Sequence, residues 1–261
     1  MLIRDNFQNS KQYNIPRCQL LIADIPYQIG NNAYGSNPAW YIDGDNKNGE
    51  SALAKKSFFN NDNEFIISEF FDFCERLLRP EPKETGKAPC MVIFCAFEQQ
   101  FSLIEEAKKH GFVKYINLVF RKNFSAQVLK ANMRIVGNCE YGLVFYRDKL
   151  PKFNNNGRMV FNCLDWEKDS NVPKIHPTQK PVNLLMRLIE IFTDENDVVI
   201  DPCAGSGSSL VACHRLNRKG YGFEIIKKFY DEATKWLEDE KKQLNLFSKT
   251  KKEQYHNESL L

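Results

Sequence analysis

Histidine is scarce in this chain of 261 residues, which holds four, and none of its eight cysteines forms a Cys-x-x-Cys pair. No Cys/His spacing of the zinc-binding kind occurs, so a metal site is not expected. Cysteines inside apolar runs, such as Cys90 and Cys95, read as small hydrophobes of a reducing compartment. No apolar run approaches the length of a membrane span, and the opening MLIRDNFQNS lacks a signal core. A soluble, cytoplasmic protein without a membrane partner is the expectation. No internal repeat is visible. Charge of one sign is not in large excess either: the net charge is +3, so the whole-chain balance does not announce a polyanionic partner. What is present is core material, 43% hydrophobic residues and 13% aromatics, which excludes global disorder.

Short apolar runs alternate with helical patterns, as in a parallel sheet flanked by helices. Strands are expected at Gln19–Ala23, Cys90–Cys95, Tyr115–Phe120, Tyr141–Tyr146, Asp197–Ile200 and Gly220–Phe223. Helices are expected at Phe65–Arg79, stopped by Pro80, at Glu98–His110 with Gly111 as its cap, and at Val182–Phe192 behind Pro181. Ser206–Leu216 and Ile225–Lys242 complete the set. Two stretches break the rhythm. Gln28–Glu64, rich in Asn and Gly, reads as a long loop or lid, and Leu150–Ile175 as a second irregular segment. The polar tail 243–261 is expected to fray.

The run Val198-Val-Ile-Asp201 leads into Pro202-Cys203-Ala204-Gly205-Ser206-Gly207 and then a helix. Glycines allow a tight turn beneath a ligand, and amides at the helix start can bond its polar end. The Lys of a phosphate P-loop is absent, and Leu210 stands where the dinucleotide fingerprint needs a small residue. What remains is Asp201 at one strand end and Glu224 at the next. This pair suits S-adenosylmethionine (SAM): a carboxylate is favourable near a sulfonium and an ammonium, and Glu224 can accept from two ribose hydroxyls. An ordinary strand-to-helix turn is the competing reading of Gly-x-Gly taken alone.

Asp24-Ile25-Pro26-Tyr27 closes the run Leu20–Ala23, at the edge of the sheet where ligands bind in open α/β folds. An aromatic exocyclic amine is a poor nucleophile because its lone pair is delocalised. A carboxylate from Asp24 and the carbonyl of Ile25 could each accept one of its N–H groups and support the cation formed on alkylation. Pro26 restricts Ile25 to an extended shape, and Tyr27 offers a face for an extruded base. A tetrapeptide after a strand can also be a mere turn.

With these residues on the page, the chain resembles the permuted, β-class N6-adenine and N4-cytosine DNA methyltransferases. Asp24-Ile-Pro-Tyr27 is similar to the family's Asp-Pro-Pro-Tyr motif, with Ile25 in place of the first proline. Asp201–Gly207 looks like its cofactor motif, with Cys203 where Phe is usual. His176-Pro-Thr178-Gln179-Lys180-Pro181 matches the segment lining the methionine side of the pocket, and Asn138–Phe145 resembles a family strand that carries a Glu. The resemblance implies one α/β, doubly wound, circularly permuted Rossmann-like domain with a mostly parallel sheet. Its catalytic half would be 18–148, a short recognition insert 149–175, and its cofactor half 176–242. It also implies SAM as cofactor, with His176, Thr178, Gln179 and Lys180 beside it, and DNA as partner. Adenine N6 is favoured by the Asp that heads the catalytic motif.

Cytosine N4, a weakly active DNA-binding module, and methylation of RNA or a protein amide are the alternatives. Double-stranded DNA is the expected substrate, with single strands, a homodimer and a companion restriction endonuclease left open, in a bacterial or phage-infected cytoplasm. Basic residues gather between Lys108 and Lys149. Arg121, Lys122, Lys152 and Arg158 are the candidate DNA contacts, a solvated surface being the alternative.

Overall fold

All six expected apolar runs become neighbouring strands of one sheet, and the innermost of them are largely apolar because helices cover both their faces. The computed structural model describes residues 1–27, 65–123, 127–130, 135–176 and 178–258, with the side chains of 127–136 and 244–258 outside the description. The lid expected at Gln28–Glu64 therefore lies outside the described residues. The strands are β1 (Leu2–Ile3), β2 (Leu20–Asp24), β3 (Cys90–Cys95), β4 (Lys114–Lys122), β5 (Gln127–Lys130), β6 (Ile135–Gly137), β7 (Cys139–Tyr146), β8 (Cys163–Trp166), β9 (Val198–Asp201) and β10 (Lys219–Phe223). The helices are α1 (Ile67–Leu77), α2 (Gln99–Lys109), α3 (Val182–Phe192), α4 (Ser208–Arg215) and α5 (Lys227–Glu258).

Eight strands form one sheet in the order β1-β10-β9-β2-β3-β7-β4-β8, and β5 and β6 form a separate hairpin. β7 alone runs antiparallel to its neighbours, pairing Met91 with Phe145 on β3 and Phe120 with Glu140 on β4. The sheet is thus mostly parallel. Every residue of β3 is buried, as expected for a strand covered on both faces. One face packs Phe70, Phe71 and Leu103 of α1 and α2 against Met91 and Ile93. The other packs Leu185 and Leu188 of α3, Val211 of α4 and Trp236 of α5 against Leu20 and Val92. Each such aromatic or branched side chain contributes roughly 1.5–3 kcal/mol by leaving water. Gly111 caps α2 as anticipated, its N–H donating to the Lys108 carbonyl at 3.1 Å.

Strand order explains where a ligand can sit. From β9 the chain winds outward through α4 to β10, and from β2 it winds the opposite way through α1 to β3. β9 and β2 are parallel neighbours, Leu20 beside Val199 and Leu21 beside Ile200. The winding reverses between them, which opens a crevice at their C-terminal ends. Asp24 and Asp201 close those two strands, and β10 delivers Glu224 one position further along the sheet.

Three expectations need correction. β8 lies inside Leu150–Ile175, the stretch expected to be irregular, pairing parallel to β4 with Phe120 beside Leu164. It is a short edge strand with three of its four residues exposed or half-exposed, so no apolar run announces it. β1 was also missed, because two residues carry no periodicity; it pairs Ile3 with Phe223. The polar tail does not fray at Gln243: α5 continues to Glu258. Lys, Glu, Gln and Leu favour helix there even without an apolar stripe.

Candidate active site

Asp24 is the last residue of β2, and the next residue keeps the strand geometry: the Ile25 N–H donates to the Phe94 carbonyl at 3.3 Å. The Ile25 side chain is buried in the apolar cluster over β3. Burial thus supplies the rigidity that a proline would give, which accounts for its presence in the tetrapeptide. Among the described residues no hydrogen bond reaches the Ile25 carbonyl. The Pro26 carbonyl is taken, accepting from Gln99 Nε2 at 2.8 Å, while Gln99 Oε1 accepts from the Ala96 N–H at 2.9 Å. Gln99, at the head of α2, therefore pins the loop to β3.

Four charged side chains meet behind this loop. Lys180 Nζ donates to Asp24 Oδ2 and lies 3.4 Å from Glu140 Oε2. Lys122 donates to Glu140 Oε1, and the Tyr27 hydroxyl donates to Oε2 at 3.3 Å. Both lysines are buried, Lys180 being 6% exposed and Lys122 7%. Aromatic rings surround the Lys180 ammonium, with centroids at 5.3 Å for Phe94, 5.5 Å for Trp166 and 5.6 Å for Tyr27. Lys122 lies 4.6 Å from the Trp166 ring. Such rings favour a cation by their quadrupole.

The cluster carries two positive and two negative charges, so no charge is stranded, and paired burial is tolerable. Burial pushes the Asp24 carboxyl up, Lys180 opposes this, and the Glu140 charge adds to it. Burial works against the Glu140 and Lys180 charges as well, but the opposite charges beside them win; Glu140 lies below and Lys180 above its ordinary value. One feature is left unsatisfied: Asp24 Oδ1 is buried with no hydrogen-bond partner among the described residues. A buried lone acceptor of this kind needs an explanation, and a donor brought by a ligand is one.

On the other side of the crevice, Asp201 Oδ1 accepts from the Cys203 N–H at 3.0 Å and Oδ2 from the Ser209 hydroxyl. Asp201 thus holds its own loop in shape. Gly205 and Gly207 adopt left-handed φ values of 51° and 75°, which lets the chain turn into α4 without a Cβ clash. The Ala204 N–H donates to the Phe223 carbonyl at 2.9 Å, tying the turn to the end of β10. Glu224 follows, its Oε1 accepting from the Ile226 N–H at 2.6 Å. Burial pushes both Asp201 and Glu224 up to about 7. No Lys or Arg pairs with either acid among the described residues. Pro202, Ala204 and Ser206 are buried in the turn, and Cys203 is half-buried with its thiol pushed far up, so no thiolate nucleophile is present there.

The segment before α3 splits in two. His176 edges onto Phe229 with ring centroids 4.4 Å apart, and its ring carbons lie 3.6 Å from where a Cβ on Gly205 would stand. Burial and the Lys180 charge push the imidazole down to about 4, so it is neutral at pH 7. Thr178 donates its N–H to His176 Nδ1 at 3.3 Å, and Gln179 bonds the Ile175 N–H and the Pro173 carbonyl. Gln179 thus shapes its own loop. His176 faces the glycine turn, whereas Lys180 faces Asp24.

Of the candidate DNA contacts, Arg121 is exposed and pairs with Asp165 at 2.6 Å, and Arg158 is exposed. Lys152 bonds Asp194 at the end of α3. Lys122 is a correction: buried against Glu140 and Trp166, it presents no ammonium at the surface. The alternation of β4 turns it inward while Arg121 points out. Sequence reasoning assigned no role to Glu140, Phe94, Trp166 or Gln99. Glu140 alone had a signal, as the acid in an otherwise apolar strand.

A sheet wound both ways from a central crevice, with a Gly-x-Gly turn on one lip and an Asp-x-Pro-Tyr loop on the other, is the doubly wound α/β architecture that takes nucleotide-type ligands at its switch point. The chain belongs to the DNA methylase family, whose model matches residues 18–235. It is similar to YubD of Escherichia coli (strain K12), 33% identical over 144 residues, which are 55% of this chain and 60% of YubD. A shorter stretch of 67 residues is 43% identical to the type II methyltransferase M.HpaI of Haemophilus parainfluenzae, covering 26% of this chain and 21% of that one. The match thus spans less than two thirds of each of these relatives.

Among solved structures, the M1.HpyAVI–SAM complex superposes with a TM-score of 0.66 at 23% identity, over 91% of this chain and 98% of that one. The cytosine-N4-specific PvuII DNA methyltransferase gives 0.64 at 14% identity, over 89% and 84%. These two likenesses establish the fold.

Proposed function

We propose that this chain is a SAM-dependent DNA methyltransferase that methylates an exocyclic amine of an extruded base, adenine N6 in the first instance. The observation that carries the reading is Asp24 Oδ1, a buried acceptor with no hydrogen-bond partner among the described residues, at the strand edge beside the glycine turn. From the register, the Cα atoms of Asp24 and Asp201 are within roughly 10 Å, near enough for donor and acceptor ligands to touch.

The crevice fits SAM on its own chemistry. Two buried acids with no cation partner among the described residues favour a ligand that brings positive charge and hydroxyl donors, and the turn at Gly205 and Gly207 leaves room for its bulk. When bound, SAM supplies an electrophilic methyl on a sulfonium. Asp201 shapes the turn, Glu224 would accept from the ribose hydroxyls, and His176, neutral, would close the methionine end. The target amine would donate to Asp24 Oδ1 and to the Ile25 carbonyl, with Tyr27 alongside the base. Catalysis is then placement plus charge support, with no covalent intermediate.

Cytosine N4 is the second reading, supported by the likeness to the cytosine-N4-specific PvuII enzyme. Relatives called type II methyltransferases support a companion restriction endonuclease and a bacterial cytoplasmic setting. A homodimer would complete site reading, since β8 takes up part of the insert. Among the described residues no helix is long and apolar enough to cross a membrane. The test is labelled methyl incorporation into unmethylated DNA with an Asp24→Ala control, followed by sequencing of modified bases from a methylation-free host. DNA binding without incorporation would reduce the chain to a binding module.

A further inference from the structure

We propose that Lys180 is a positioning residue for methyl transfer: its ammonium holds Asp24 Oδ2, which leaves Oδ1 to the acceptor amine and keeps the carboxylate charged. This rests on the proposed function above and assigns Lys180 to the acceptor side of the crevice, away from the methyl donor.

The geometry is specific. The ammonium is buried, bonded to Asp24, 3.4 Å from Glu140 and enclosed by Tyr27, Phe94 and Trp166. Lys122 holds Glu140 from its other oxygen, so Glu140 is itself fixed. The backbone beneath is firm, because Val182 and Leu185, which follow at once, are buried at the start of α3. Among the described residues the groups facing Asp24 are Lys180 before α3, Glu140 on β7, Tyr27 in its own loop, Cys95 at the end of β3, Asp201 at the end of β9 and Cys203 after it. Lys180 is the one cation among them, set against two further acids. Without it, burial and Glu140 would both favour a protonated Asp24, which could not accept from the amine.

In the transfer step the amine lone pair forms the new nitrogen–carbon bond as the carbon–sulfur bond breaks. The departing pair turns the sulfonium into a neutral thioether. The nitrogen, now cationic, gives one proton to Asp24 Oδ1, leaving a neutral methylated amine and a protonated carboxyl. The neighbouring ammonium disfavours that neutral carboxyl, so the proton passes to water once the product leaves.

The test is the pH–rate profile of single-turnover methyl transfer from labelled SAM to unmethylated duplex DNA by the full chain, with SAM affinity measured in parallel. Lys180→Met should lower the rate by about 10²-fold and move the acidic limb up by about one pH unit, with SAM affinity unchanged. Lys180→Arg should restore the limb. Glu140→Gln removes a like charge and should move the limb down, and it decides the matter if Lys180→Met does not fold. Weakened SAM binding with an unmoved limb, or a limb that Glu140→Gln leaves in place or raises, overturns the proposal. A native chain that moves no methyl removes the proposed function as well, whereas an active chain with unmoved limbs removes this proposal alone.

Discussion

Lys180 bonds Asp24 across a sequence separation of 156 residues, joining the segment before α3 to the end of β2. The contact unites the two halves of the chain at the crevice between β9 and β2. It also orders the expected consequences of substitution by the lip of the crevice on which each residue sits.

On the acceptor lip, Asp24→Asn keeps the size of the side chain and removes its charge. Methyl transfer should fall by about 10³-fold, since charge support of this kind is worth roughly 10²–10³ or more in turnover. SAM binding, followed by calorimetry, should change little. A variant that retained near-native turnover would remove Asp24 from the chemistry.

On the donor lip, Glu224 gives a pH signature. Its folded value of about 7 lies above that of an unfolded carboxyl, so in the ligand-free chain it costs stability that is absent below the unfolded value and grows as pH rises towards 7. Asp201 acts in the same direction. A ligand donating hydroxyls to Glu224 binds its ionised form and releases a proton. SAM affinity should therefore rise between pH 6 and pH 8, and Glu224→Gln should both weaken binding and flatten that rise. Titrations at three pH values in two buffers of different ionisation enthalpy check this.

The glycine turn is constrained from behind. Gly207 is left-handed, and a Cβ there would stand 3.2 Å from Ala233 Cβ on α5. Gly207→Ala should cost about 1–2 kcal/mol in chemical denaturation, the cost of a left-handed non-glycine residue. SAM affinity should drop with it, and Ala233→Gly should recover part of the loss. No recovery would mean that α5 does not support the turn.

Arg121 and Lys122, adjacent in sequence, should behave in opposite ways. The exposed Arg121–Asp165 pair contributes little to stability, so Arg121→Ala should leave the fold intact. It should weaken DNA binding and reduce the salt slope by about one if the guanidinium meets a phosphate. Lys122→Met breaks a buried pair and should cost about 3–5 kcal/mol without altering the salt slope. Equal salt slopes for Arg121→Ala and the native chain would make the basic stripe a solvated surface.

Much of the architecture was legible in advance because strands covered on both faces need continuous apolar runs. β3 and α3 form with the very limits anticipated, Cys90–Cys95 and Val182–Phe192. β8 was not legible: at a sheet edge only Trp166 is fully buried, with Leu164 half-buried beside it, and so short an alternation leaves little pattern to read. The continuation of α5 past Gln243 rests on propensity alone, which an apolar-stripe criterion does not register.

By itself the sequence determined the elements of the crevice. A carboxylate at the end of an apolar run, glycines where the chain must turn left-handed, and an acid after the next strand are all local requirements, written in consecutive residues. Only the tertiary structure decided which charges meet. Lys180 lies four residues from His176, yet they face different lips; Lys122 follows Arg121, yet one is buried and the other exposed. The reason is that a buried charge is stable only where opposite charges arrive to meet it. Asp24, Glu140 and Lys122 come from three separate strands that only the folded sheet brings side by side.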